Sequence, residues 1–127
     1  MLKTILLAAV LATASATPAE ASYWRMAGTL TWYGNGLYGH RTACGLRLTR
    51  TLVGVASRTL KCGTKVKFRW HHTTIVVPVV DRGPYPDRSL YREMPFDMTA
   101  GAVRLWKRWE GDNPYFTRHN VRYHVMS

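Results

Sequence analysis

The chain has 127 residues and carries 18 Lys and Arg against 7 acidic residues, a formal net charge of +11. That length supports one small domain with a modest core. The basic excess calls for an anionic partner or surface, and the preponderance of Arg favours planar carboxylate or phosphate groups.

Lys3 precedes an apolar run from Ile5 to Leu11, and the small-residue triplets Ala14-Ser15-Ala16 and Ala19-Glu20-Ala21 follow it. The run is too short to cross a bilayer, and the residues after it fit a secretory cleavage site. We therefore expect a signal peptide over 1–21 and a single domain over 22–127, with the mature chain starting near Thr17 or Ser22. No Cys stands at either site, so a membrane anchor is not expected after cleavage. A secreted or periplasmic location turns the charge argument away from nucleic acid and towards wall polymers, lipid headgroups or peptide carboxylates. The cysteines Cys44 and Cys62 both lie in the exported part, and an oxidising compartment makes them a disulfide. A two-thiol metal site would need His partners at tight spacing. His71-His72 are adjacent and follow a strand pattern, so no metal and no cofactor is expected.

In chain order, Ala27 to Tyr33 alternates, with Leu30 and Trp32 on one face and Thr29, Thr31 and Tyr33 on the other. Gly34-Asn35-Gly36 ends it, and Gly39 to Thr51 reads as a loop tied by Cys44. Leu52 to Ala56 is a short strand candidate. Thr64 to Trp70 is a half-exposed strand, with Val66, Phe68 and Trp70 alternating against Lys65, Lys67 and Arg69. His71-His72-Thr73 turns into a β-branched run from Thr74 to Val80, which ends at Asp81-Arg82 and a Gly83-Pro84 exit. Phe96-Asp97-Met98-Thr99 precedes a helical pattern over Ala100 to Trp109. Thr99 is its N-cap, Ala102, Val103, Trp106 and Trp109 form its apolar face, and Gly111 is its stop. Asp112-Asn113-Pro114 is a turn, and Val121 to Val125 is a last strand. Short strands with one or two helices suggest a closed β-barrel.

Two carboxyls on a small scaffold are a starting point for acid/base work on glycosidic bonds. Asp81 closes an apolar strand, where burial raises a carboxyl pKa, so it is the expected acid unless Arg82 turns back to pair with it. Asp97 stands before a helix start, where the dipole favours the ionised form and suits an orienting role. Tyr33, Tyr38 and Tyr85 flank these acids in sequence and offer faces for sugar stacking. His40 could serve as a base if its loop folds back.

Gly28-Thr29-Leu30-Thr31-Trp32-Tyr33-Gly34, Gly54 to Val66 with its Leu60-Lys61-Cys62-Gly63-Thr64-Lys65-Val66 portion, Val80-Asp81-Arg82-Gly83-Pro84-Tyr85 and Phe96-Asp97-Met98-Thr99 occur in that order. The series resembles the double-psi β-barrel domain of the rare lipoprotein A family, which is related to expansins, over roughly Ala27 to Trp109. The resemblance implies a mainly β fold, a six-stranded double-psi β-barrel with one or two short helices. It implies action on peptidoglycan glycan strands, through lytic transglycosylation with a 1,6-anhydro product, or, as in expansins, glycan binding without cleavage; a monomer is expected. By position it makes Asp81 and Asp97 the catalytic carboxylates, and Thr31 a groove hydroxyl. Tyr33, Ser57, Arg82 and Tyr85 join Thr31 as substrate contacts. The departure is Ser57, where catalytic members carry a His, because a serine cannot hold a proton reversibly near neutral pH.

Overall fold

A computed structural model describes residues 23–110 and 117–126, the last four residues of the first stretch by backbone alone. The strands are β1 (Arg25–Tyr33), β2 (Val55–Ser57), β3 (Lys65–Trp70), β4 (Thr73–Asp81), β5 (Phe96–Thr99) and β6 (Arg118–Val125). One α-helix, α1 (Ala100–Glu110), follows β5, and a 3₁₀ turn spans Arg88–Leu90. The strands close into a barrel in the order β1-β5-β2-β4-β3-β6. The fold is thus the expected mainly β six-stranded barrel. The signal-peptide reading, the Trp109 side chain, the Gly111 stop and the turn at Asp112-Asn113-Pro114 lie outside the described residues.

Pairing is parallel for β1 with β5 and for β2 with β4, and antiparallel for the other neighbours. β4 is long enough to serve two partners: Thr73 to Pro78 pair with β3, and Val79 and Asp81 pair with β2. Pro78, which has no ladder donor to give, falls at that handover.

The alternation read in β3 holds, with Val66 and Phe68 wholly buried and Lys65 exposed. Their inward face joins Leu30, Val55, Val77, Val79, Met98 and Val121 in one core. Phe96 meets Phe68 edge-on at 5.1 Å and Tyr123 at 4.9 Å between ring centroids, so three strands are tied by aromatic packing. Burying one such ring stabilises the fold by roughly 2–3 kcal/mol. α1 closes over the barrel with Ala102, Val103 and Trp106 buried.

Thr99 is the cap that was read for the helix. Its Oγ1 accepts from the amides of Ala102 (3.2 Å) and Gly54 (3.0 Å) and donates to the Leu52 carbonyl at 2.5 Å. Those bonds explain one difference from the sequence reading. The Leu52 amide is taken by the Thr49 hydroxyl and the Gly54 amide by Thr99, so the strand begins at Val55 and not at Leu52. Phe96–Thr99, read only as the approach to a helix, is itself a strand paired on both sides.

Candidate functional site

Strand register assembles the site. Thr31 pairs with Asp97, Asp97 with Ala56, and Ala56 with Asp81. Partners in register share a face of a pleated sheet, so these residues form one row across four strands, on the face opposite the core. The two acids are separated by the methyl of Ala56 and by two strand spacings, roughly 9–10 Å between backbones. Of the residues read from the sequence, Thr31, Tyr33, Asp81 and Asp97 are brought together.

The hydrogen bonds distinguish the two carboxyls. Asp97 accepts from the Thr31 hydroxyl at 2.9 Å. Its burial between β1 and β2 pushes its pKa up to about 6, against the opposing effects of Thr31 and the Met98 amide. This corrects the expectation that a helix dipole keeps it ionised. Asp97 lies inside a paired strand, and loss of water outweighs the nearby helix start. Asp81 accepts three bonds: from the Tyr33 phenol (3.0 Å), the Ala43 amide (2.8 Å) and the Arg82 amide (2.8 Å). Tyr33 is held in its protonated form by burial and by the charge and hydrogen bond of Asp81, with Asp97 adding to the effect. It is a fixed donor to Asp81.

The Ala43 amide arrives through a piece of structure that the sequence hid. Within the expected loop, 39–48 folds as a tight hairpin, with Gly39 N to Leu48 O and Leu48 N to His40 O at 2.8 Å each. The disulfide Cys44–Cys62 ties its tip to the segment before β3. The loop does fold back, and His40 and Asp81 line the same cleft of about 150 Å³, with Leu37, Thr42 and Leu48 among the walls. Among the described residues, His40 is thus an imidazole that shares a cleft with Asp81.

Other expected contacts go elsewhere. Ser57 is 2% exposed and pairs with Phe96, so it faces away from the acid row. Its Oγ accepts the amides of Thr59 and Leu60 at 3.3 and 3.1 Å, and it opens on a separate cleft that contains neither acid. Arg82 does not turn its guanidinium onto Asp81. It donates to the carbonyls of Ser57 (3.1 Å) and Leu60 (2.6 Å), and so pins the segment that carries Cys62. Arg58, which the sequence gave no reason to single out, donates to the carbonyls of Pro84, Met94 and Tyr91 and stacks on the Tyr91 ring. It holds the loop between β4 and β5. Tyr85 is exposed beside the Gly83-Pro84 exit, while one face of Tyr38 is covered by Arg50 at 4.7 Å. Among the described residues, no group of three or more His, Cys, Asp or Glu is placed to hold a metal ion.

The chain is similar to several known proteins. The family model described as lytic transglycolase matches residues 25–109. The probable endolytic peptidoglycan transglycosylase RlpA of Synechocystis sp. is 38% identical over 79 residues, covering 61% of this chain and 23% of that protein. The probable RlpA of Aquifex aeolicus is 40% identical over 90 residues, covering 69% of this chain and 38% of its own. The endolytic peptidoglycan transglycosylase RlpA of Rickettsia typhi is 34% identical over 73 residues, covering 54% and 23%. This chain thus spans less than half the length of the curated relatives it matches. The Streptomyces papain inhibitor superposes with a TM-score of 0.56 at 21% identity, over 82% of this chain and 94% of that one, a likeness of fold alone. Because the family match runs from the first residue of β1 into α1 and spans every member of the acid row, the chain belongs to the lytic transglycolase family of double-psi β-barrels.

Proposed function

We propose that the protein is an exported lytic transglycosylase that cuts the β-1,4 bond between N-acetylmuramic acid and N-acetylglucosamine in peptidoglycan. The observation that carries this reading is Asp97, a partly buried carboxyl set in the acid row beside Thr31, pushed up to about 6 and oriented by the Thr31 hydroxyl. A carboxyl that keeps its proton near pH 6 can donate it to the glycosidic oxygen as the bond to the anomeric carbon breaks. The sugar's own 6-hydroxyl then attacks that carbon and passes its proton to the Asp97 carboxylate. The acid is regenerated and a 1,6-anhydro ring is left, so no water has to be positioned. Asp81, held by Tyr33, Ala43 and Arg82, supplies negative charge to the oxocarbenium-like centre. The acid role thus passes from Asp81, where the sequence placed it, to Asp97. His40 in the Asp81 cleft stands in for the imidazole that Ser57 lacks. Peptidoglycan outside the cytoplasm suits the disulfide, and the protein acts there as a secreted or periplasmic monomer with no nucleic-acid partner.

A second reading, a wall-glycan binding module, is favoured by Ser57, which is turned away from the acids and occupied with backbone amides. Mass analysis of digested glycan strands separates the two. Wild type releases anhydro ends, and Asp97→Asn lowers that release by a factor of about 10² or more, as expected for loss of a general acid. Glycan that binds wild type but yields no anhydro end establishes the binding module instead.

A further inference from the structure

A second cleft, of about 400 Å³, opens between β3 and β6 and is lined by Arg69, Trp70, His71, His119, Asn120 and Arg122. Its wall contains no acid. Arg69 and Arg122 are direct cross-strand partners, an arrangement of like charges that destabilises a sheet unless an anion lies between them. His71 (φ 50°) and Asn120 (φ 59°) both hold left-handed backbone conformations. Among the described residues these are the non-glycine cases, and both line this cleft. Each has a local cause that fixes the rim of the cleft: His71 opens the two-residue turn between β3 and β4, and Asn120 is the residue skipped where β6 pairs with β1. Trp70 is immobilised on several sides: its Nε1 donates to the His119 carbonyl at 3.0 Å, Arg118 stacks at 4.7 Å and His71 meets it edge-on at 4.1 Å. The cleft has an indole wall, and beside it stand Arg122 and Arg69, the latter with its Nε directed at the His71 carbonyl (3.5 Å) and its two terminal amino groups left for a ligand.

It is also connected to the acid row. The His119 ring lies 3.1 Å from the Thr29 hydroxyl, and Thr29 shares its face of β1 with Thr31, which is bonded to Asp97. Two residues of strand span about 7 Å, so a ligand lying over Asp97 along this face leads to the cleft. We propose that this cleft is a subsite for a carboxylate borne by the glycan strand, an inference that rests on the glycan reading above. Peptidoglycan carries that group on the lactyl ether of its muramic residues and on the peptides attached there. A carboxylate accepts a guanidinium fork in two parallel bonds, which Lys could not offer as well.

Equilibrium binding at pH 8 tests it, with three probes: peptide-free glycan strands, the same strands with their carboxyls methyl-esterified, and peptide-bearing strands. Wild type binds one or both acidic forms about tenfold or more tighter than the ester, the factor expected for charge-assisted bonds. Arg69→Gln with Arg122→Gln removes this preference and leaves affinity for the ester unchanged. Arg69→Lys, which keeps the charge and loses the fork, removes part of it. Arg104→Gln, which takes one charge from the exposed face of α1, leaves it intact. A preference already present with peptide-free strands assigns the lactyl carboxylate, and one confined to peptide-bearing strands assigns the peptide. Equal wild-type affinity for acid and ester overturns the subsite while the glycan reading stands. Equal loss on both probes in the double variant also overturns it. Absence of binding to every probe overturns both.

Discussion

Asp97 carries the price of its position in its own ionisation. Its folded-state pKa of about 6 stands above the ordinary carboxylate value, so between about pH 4 and pH 6 the folded state binds the proton that the unfolded state has lost. Stability therefore falls as pH rises through that window and levels off above it, by up to roughly 3 kcal/mol. Asp97→Asn removes the charge and keeps an oxygen for Thr31, so it should stabilise the fold at pH 8 and have little effect at pH 4 while activity is lost. Denaturant titration at the two pH values checks this, and an equal change at both would show that the buried charge is not the cause. Tyr33→Phe removes one of three donors to Asp81 and should lower turnover about tenfold without unfolding the barrel, measurable as anhydro-end release beside an unchanged thermal midpoint. Both acids were visible in the sequence, Asp81 because it closes an apolar run and Asp97 because it stands just before a helical pattern. Which of them holds a proton was not, since Asp97 is buried by Thr31 and Ala56 from strands distant in sequence, while the helix beside it was the only neighbour in view.

The strands most readily foreseen were β1 and β3, where alternation runs long enough to declare a period. β5 escaped notice because four residues cannot establish one, and its partners on either side come from β1 and β2. The 39–48 hairpin escaped for a different reason: its bonds are backbone to backbone and its side chains show no pattern. At Gly28 the two levels agree. Its φ of +65° belongs to glycine, β1 shifts register there against β6, and an added Cβ would come within 2.5 Å of the Glu93 carbonyl. The neighbouring Thr29 amide is bonded to that same carbonyl at 2.6 Å, so the bulge is what docks the end of the β4–β5 loop on β1. Gly28→Ala should therefore cost about 2 kcal/mol or more, since strained backbone and steric overlap add. A denaturation midpoint within error of wild type would show that the loop yields instead.

The net charge of +11 suggested an anionic partner, and the fold divides that charge into two uses. Arg58 and Arg82 each donate to two or more carbonyls and knit loops together, whereas Arg69, with one long bond to the His71 carbonyl, and Arg122 are partners across β3 and β6. Composition alone could not separate the structural arginines from those at a surface cleft. The cysteine pair has a consequence of the same breadth. Cys44 stands next to Ala43, whose amide meets Asp81, and its bridge to Cys62 closes a sequence separation of 18 residues, stabilising the fold by about 3 kcal/mol in the chain-entropy picture. We predict that a thiol reductant, or Cys44→Ser with Cys62→Ser, sharply lowers anhydro-end release while glycan affinity is largely kept; undiminished release would show that the hairpin holds its place unaided. On the reading of an exported chain, the hairpin would then be locked over Asp81 only after the molecule has met an oxidising compartment, and the site would be completed by the same passage that brings it to its polymer.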